Sequence, residues 1–274
     1  MLKEILENVK NNTPLVHNIT NYVTVNDCAN ILLACGGSPI MADDEGEVEE
    51  ITSICSGLNI NIGTLNKNTI PSMLLAGKKA NELSHPIILD PVGAGASTLR
   101  TNTAKELLNN VKFSVIKGNI SEIKTLMAGS GSTKGVDADI ADKVTEENID
   151  DVIKSLKEFS KQTGAVIIVT GEIDIVTNDK DAYIIKNGHA VMSSITGTGC
   201  MLSAMTCAYI CANTDNMLKA CLASVCLMGY AGEKAYEKMV ETKAGNSSFR
   251  NYLIDAIYNM SGEELDKGAK YEHR

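Results

Sequence analysis

Residues 87–95 read Ile87-Ile88-Leu89-Asp90-Pro91-Val92-Gly93-Ala94-Gly95. Three apolar residues run straight into an Asp-Pro turn. That is the signature of a short strand buried on both faces. The same pattern recurs on either side. Residues 58–62 form a strand ending at Gly63, and residues 113–116 form one ending at Lys117-Gly118-Asn119. Residues 165–169 form another, ending at Thr170-Gly171. Helical spacing fills the gaps over residues 71–83, 101–111 and 149–163. Strands alternating with helices predict an α/β fold with a mostly parallel central sheet and helices on both faces.

The pattern changes over residues 173–194, which alternate and carry turn signals at Asn178-Asp179-Lys180 and Asn187-Gly188. These predict antiparallel hairpins at one edge of the sheet. Beyond Cys200 the chain reads as helix over residues 201–211, 217–240 and roughly 248–260. No repeat or linker divides it, so residues 1–274 are expected to form a single domain. Residues 129–145, rich in Gly, Ser and Asp, are the expected flexible insertion.

Bulk properties narrow the function. The 274 residues carry a net charge of −9, which argues against nucleic acid or an anionic membrane as the main partner. Aromatic residues are 4% of the chain and Trp is absent, so the core must be aliphatic. Of eight cysteines, Cys28, Cys35, Cys207, Cys211, Cys221 and Cys226 lie in apolar helical patterns, and none makes a CxxC pair. They read as small buried hydrophobes in a reducing cytoplasm. Residues 1–12 read as a charged amphipathic helix rather than a signal peptide. No apolar run reaches the 18 or more residues of a membrane span.

The clusters that end the strands are candidate ligand sites, because open parallel sheets bind ligands beyond the carboxyl ends of their strands. In Thr196-Gly197-Thr198-Gly199-Cys200, two glycines precede a helix. Tight turning and the helix's positive end make an anion hole, with Gly197, Gly199 and Cys200 as the candidate catalytic positions. The spacing is neither a Walker P-loop nor a dinucleotide fingerprint. Cys200 at the helix start could serve as general base, its thiolate favoured by the dipole, or could simply be a small residue tolerated there. Asp90 at its strand end can hold a hydrated Mg²⁺, and the plain alternative is an Asp-Pro turn. Asn119-Ile120-Ser121-Glu122 fits a capping box, while Glu122 also falls where a metal would sit. Lys117 could meet nucleotide phosphate or be solvated. His17 and Met41 read more readily as structural residues.

Taken together, residues 14–23 (PLVHNITNYV), 36–42 (GGSPIMA), 59–65 (NINIGTL), 88–97 (ILDPVGAGAS), 116–123 (IKGNISEI), 168–176 (IVTGEIDIV) and 193–200 (SSITGTGC) resemble the hydroxyethylthiazole kinases. These are thiamine-salvage enzymes of the ribokinase-like superfamily. The likeness runs from about residue 13 to the last helix, and Cys after the second glycine is a family feature where related kinases place Asp. The resemblance implies a three-layer α/β/α fold and a reaction in which ATP, with Mg²⁺, phosphorylates the alcohol of 4-methyl-5-(2-hydroxyethyl)thiazole. It implies a homotrimer with the thiazole at a subunit interface. It places Met41 and Gly197 on the thiazole, Asn21 near its hydroxyl, Thr170 and Lys117 on ATP, and Asp90 and Glu122 around the metal and phosphates. Cys200 falls where the phosphoryl group meets the hydroxyl. The family carries Arg where this chain has Lys117, which keeps the charge but loses the two-pronged fork. The rival readings are another ribokinase-like activity, such as hydroxymethylpyrimidine kinase or the nicotinamide-nucleotide repair dehydratase, and a non-catalytic nucleotide or vitamin-precursor binder.

Overall fold

The computed structural model describes residues 1–128 and 143–274. The expected insertion at 129–145 therefore lies mostly outside the described residues. The chain opens with α1 (Leu2–Asn12), β1 (Leu15–Ile19), α2 (Val25–Cys35), β2 (Ser38–Met41), α3 (Val48–Ile54), β3 (Gly57–Asn61), α4 (Thr69–Glu82) and β4 (Ile87–Asp90). It continues through α5 (Thr98–Asn110), β5 (Val115–Asn119), α6 (Ile120–Met127), α7 (Ile149–Thr163), β6 (Val166–Thr170), β7 (Asp174–Thr177) and β8 (Ala182–Ile185). The last third holds α8 (Thr198–Ala212), α9 (Met217–Thr242), α10 (Asn246–Asn259), α11 (Gly262–Gly268) and β9 (Tyr271–His273).

One sheet runs in the order β2-β1-β3-β4-β5-β6-β7-β8-β9. The first six strands in that order pair in parallel, and β6 to β9 pair antiparallel. Strand residues point alternately to two separate cores. Ile88, Val115 and Ile168 join one with α1, α2, α8, α9 and α10. Leu89, Ile116 and Ile167 join the other with α4, α5, α6 and α7. Two cores on one sheet make the three layers expected from the alternating pattern. No helix among the described residues is long and apolar enough to cross a membrane.

The antiparallel edge differs from the expectation in one respect. Asn178 does close a hairpin between β7 and β8, its Oδ1 accepting from the amides of Lys180 and Asp181. Asn187-Gly188 closes none. Asn187 Nδ2 donates to Glu233 Oε1 and to the Gly268 carbonyl, and its Oδ1 accepts from the Lys270 amide. These bonds tie the segment to α9 and the chain's end, so residues Ala190–Ser194 form a 3₁₀ turn and the outer strand comes from the C-terminus as β9.

β1 and β2 also lack an apolar signature. His17 and Asn18 on β1 are polar and fully buried. The His17 ring nitrogens lie 2.9 Å from Thr52 Oγ1 and from the Ala42 carbonyl, which offsets their burial.

Asp174, which opens β7, accepts a 2.8 Å hydrogen bond from the Gly171 amide. Burial pushes its carboxyl up to about 7, against the opposing pull of that amide and of Lys117. A carboxyl raised on folding binds its proton more tightly in the native chain. Its contribution to stability is therefore greatest at low pH and falls as pH climbs from about 4 through 7. A single proton caps the slope at about 1.4 kcal/mol per pH unit, and the side chain's remaining solvent contact keeps it below that. Asp174→Asn keeps the acceptor and removes the titration. The urea midpoint of the wild type should fall between pH 5 and pH 8 by more than that of the variant.

Candidate active site

The carboxyl ends of β3 to β6 and the start of α8 enclose a cleft of about 360 Å³. At its floor stands Asp90, the last residue of β4 and 1% exposed. Alternation along the strand sends Leu89 into the helical layer of α4 to α7 and turns Asp90 toward α8. Its Oδ2 accepts from Asn61 Nδ2 at 2.8 Å, from Ser203 Oγ at 2.7 Å and from Lys117 Nζ at 3.3 Å. Its Oδ1 is buried with no partner among the described residues.

Lys117, in the adjacent strand β5, is 4% exposed and also donates to the Gly199 carbonyl at 3.0 Å. Burial alone would lower its ammonium pKa. The Asp90 carboxylate, with Cys200 and Glu122 behind it, outweighs that and holds it above the ordinary lysine value. Lys117 is thus a fixed cation between the carboxylate and the start of α8. One ammonium serves both partners here, so the missing guanidinium fork is not needed for this geometry.

Gly197 caps α8 in the left-handed region at φ +89°. A Cβ added there would stand 2.5 Å from Thr24 Cγ2, and one on Gly199 would stand 3.0 Å from Lys117 Nζ. Among the described residues no side chain caps this helix end, so its first amides are left for a ligand. Cys200, in the first turn, lines the cleft and is 9% exposed. Its sulfur accepts from Asn21 Nδ2 and Asn61 Nδ2, each at 3.2 Å. Asn21 in turn accepts from the Thr24 amide and hydroxyl through Oδ1. Asn21 is therefore engaged with protein partners beside the thiol.

Glu122 fulfils the capping box. Its Oε2 accepts from the Asn119 amide, and Asn119 Oδ1 accepts from the Glu122 amide. Oε1 accepts from the Gly93 amide at 2.8 Å, so the same carboxylate ties the 91–95 turn to α6 while lining the cleft. Thr170 ends β6 at the cleft wall. Met41 lies apart. It ends the edge strand β2, half-buried, three strands from β4 and so roughly 14 Å across the sheet from Asp90's strand. It does not line the cleft.

Three contributors were not singled out from sequence. Asn61 is a polar residue ending an apolar strand. Ser203 follows Gly199 by four residues, one helical turn, which is a readable spacing. Arg100 gave no signal: its Nη1 donates to the Val92 carbonyl and its Nη2 to the Gly63 carbonyl, strapping together the turns after β3 and β4.

No cluster of three His, Cys, Asp or Glu forms a metal cage among the described residues. Mg²⁺ characteristically needs none, since it binds through one or two carboxylates, water and substrate phosphates. The partnerless Oδ1 of Asp90 is a hard oxygen of the right kind, so the residues present fit the ion.

A buried carboxylate, a fixed cation and an uncapped helix start at the carboxyl ends of a three-layer α/β/α sheet define a small-molecule kinase of ribokinase-like fold. Pyridoxal kinase from Staphylococcus aureus, solved with pyridoxal, shares that fold at a TM-score of 0.60 and 15% identity over 80% of this chain and 87% of its own. The chain belongs to the hydroxyethylthiazole kinase family, whose family model matches residues 6–263. It is 67% identical to a hydroxyethylthiazole kinase from Clostridium acetobutylicum over 99% of both chains. The structure of the hydroxyethylthiazole kinase protein from Pyrococcus horikoshii OT3 superposes with a TM-score of 0.88 at 36% identity, covering 100% of this chain and 98% of that one.

Gly197→Val should lower turnover by at least ~10²-fold, the scale of losing one oxyanion-type donor. The side chain meets Thr24 and the backbone resists a positive φ. Steady-state kinetics on folded variant, checked by thermal unfolding, will measure this. Near-normal turnover would remove the anion-hole assignment.

Proposed function

We propose that the chain transfers the terminal phosphoryl group of ATP to the primary alcohol of 4-methyl-5-(2-hydroxyethyl)thiazole, a step of thiamine biosynthesis or salvage. Membership of the family supports the reaction. The observation that carries the site is the convergence of Asn61, Lys117 and Ser203 on one oxygen of Asp90, with the other oxygen buried and without a partner among the described residues.

Phosphoryl transfer passes through a loose transition state, so positioning and charge stabilisation dominate. The amides of residues 198–200 and the Lys117 ammonium would stabilise charge on the transferring group. Thr170, on the neighbouring strand β6, would contact the nucleotide. Asp90 and Glu122 would hold Mg²⁺, which supplies neutralisation of the phosphate charge. Asn21 and Gly197 would flank the thiazole alcohol, with Cys200 at its hydroxyl. Two N–H donors hold the sulfur of Cys200 in place, and where the hydroxyl's proton leaves late, as a loose transition state allows, little demand falls on a base. A weak base costs little under these conditions. Cys200→Asp should therefore remain active within about tenfold of the wild type, well inside the 10²–10⁴ range of an essential general base.

Three further features belong to this reading. Residues 1–274 act as one kinase domain, supported by a single sheet that runs from β2 to the C-terminal β9. The enzyme works in the cytoplasm, supported by eight free thiols. It is a homotrimer with interfacial thiazole sites. Support for that comes from Met41 on the open edge strand and from Tyr22 and Val23, 77% and 55% exposed, near the cleft mouth. A partner copy would bring Met41 and the cleft into one enclosed pocket.

An ATP-coupled assay with the thiazole alcohol, with and without Mg²⁺, tests the reaction. We expect stoichiometric ADP only with both present. Mg·ATP binding without transfer to the alcohol would point instead to a non-catalytic binder. Light scattering should give three times the 29.3 kDa chain mass.

A further inference from the structure

We propose that Asn61 is a positioning residue for phosphoryl transfer: it determines which oxygen of Asp90 is left without a protein donor and seats the Cys200 sulfur. This rests on the kinase reading above. Asn61 ends β3 directly opposite Asp90 in the parallel register and is 1% exposed. A primary amide has two N–H donors and one oxygen with two lone pairs. Asn61 uses all four. Its Nδ2 donates to Asp90 Oδ2 at 2.8 Å and to Cys200 Sγ at 3.2 Å. Its Oδ1 accepts from Asn21 Nδ2 at 3.0 Å and from the Gly63 amide at 2.9 Å.

The partners fix the amide's orientation. Exchanging oxygen and nitrogen would set an oxygen against the Asp90 carboxylate and an NH₂ group against the Gly63 N–H and the Asn21 NH₂, losing those three bonds. No other side chain of this size presents two donors to one side and an acceptor to the other. Aspartate has the same shape but only acceptors when ionised, and it would face a carboxylate.

The consequence falls on Asp90. Lys117 on β5 holds Oδ2 from the side away from β3, and Ser203 holds it from α8. Among the described residues Asn61 is the one donor from β3, and with it the carboxylate is also held from that strand. Oδ2 then takes all three donors, and Oδ1 is the oxygen left without a partner. Without Asn61 the carboxylate can turn about its last torsion, and the free oxygen loses its direction. The Cys200 sulfur loses one of its two donors in the same step. The residues assigned to the nucleotide, Lys117 and Thr170, lie on β5 and β6, on the far side of β4 from Asn61. Asn61 should accordingly affect turnover far more than nucleotide binding.

The test compares Asn61→Asp, Asn61→Ala and Asn61→Ser by steady-state kinetics, by calorimetric ATP binding without the alcohol, and by thermal unfolding. Asn61→Asp keeps the shape but sets a second carboxyl against Asp90, so at most one shared proton replaces the two N–H donors, whereas Asn61→Ser is small but keeps one. We expect kcat to fall at least ~10²-fold in Asn61→Asp and Asn61→Ala, the scale of a misplaced reacting group, with ATP affinity within about threefold of the wild type. Asn61→Ser should recover about tenfold over Asn61→Ala. A merely structural asparagine would lower the melting temperature and leave kcat of the folded protein unchanged, and that result overturns the assignment. So does an Asn61→Asp variant within threefold of wild-type kcat. If Asn61→Ala does not fold, the isosteric Asn61→Asp decides alone. Wild-type transfer with no Asn61 effect removes this role only, whereas no wild-type transfer removes the kinase reading and this role with it.

Discussion

The structure turns on one buried carboxylate. Asp90 is almost wholly removed from water, and an ion in that position persists only if it is paired and hydrogen-bonded. Its partners arrive from β3, β5 and α8, three elements far apart in sequence. Satisfying one oxygen of Asp90 therefore fixes how α8 sits over the sheet, and the helix brings Gly197, Gly199 and Cys200 with it. A buried ion pair of this kind is weak evidence for stability. Removing one partner costs about 3–5 kcal/mol while replacing both can be neutral. Its value here lies in the geometry it imposes.

That geometry follows from the parallel sheet. All the strands that reach the cleft end at the same edge, so each contributes a side chain from near its carboxyl end. Asn61, Asp90, Lys117 and Thr170 come from four adjacent strands. The turns beyond them are held from outside, by Arg100 between the Val92 and Gly63 carbonyls and by Glu122 on the Gly93 amide. The cleft is thus framed by main-chain bonds as well as by its own charged groups, an arrangement that limits its freedom before substrate binds.

The parallel strands were legible because burial on both faces leaves continuous apolar runs, as at residues 87–89 and 166–169. The site residues at their ends were legible for the same reason: Asp90 and Lys117 interrupt those runs where a packed interior would not choose a charge. β1 and β2 were not legible. His17 and Asn18 are polar, and only long-range bonds, to Ala42 and Thr52 in the case of His17, make their burial tolerable. The Asn187-Gly188 turn misled because its signal is local, whereas Glu233, Gly268 and Lys270 decide its conformation from a distance. Glu122 served both readings at once, as helix cap and as cleft wall. The thiazole came only from resemblance to a family, since nothing in spacing or charge names a heterocycle.

The central claim is that Asp90, held by its three donors with one oxygen free, is the pivot of phosphoryl transfer. The most direct measurement follows ³¹P resonances of ATP with the thiazole alcohol and Mg²⁺, for wild type and Asp90→Asn side by side. The account predicts one phosphate monoester per ADP for the wild type. For a folded Asp90→Asn it predicts a rate at least ~10³-fold lower, a loss of several kcal/mol of charge stabilisation. A folded Asp90→Asn working within tenfold of the wild-type rate would contradict it.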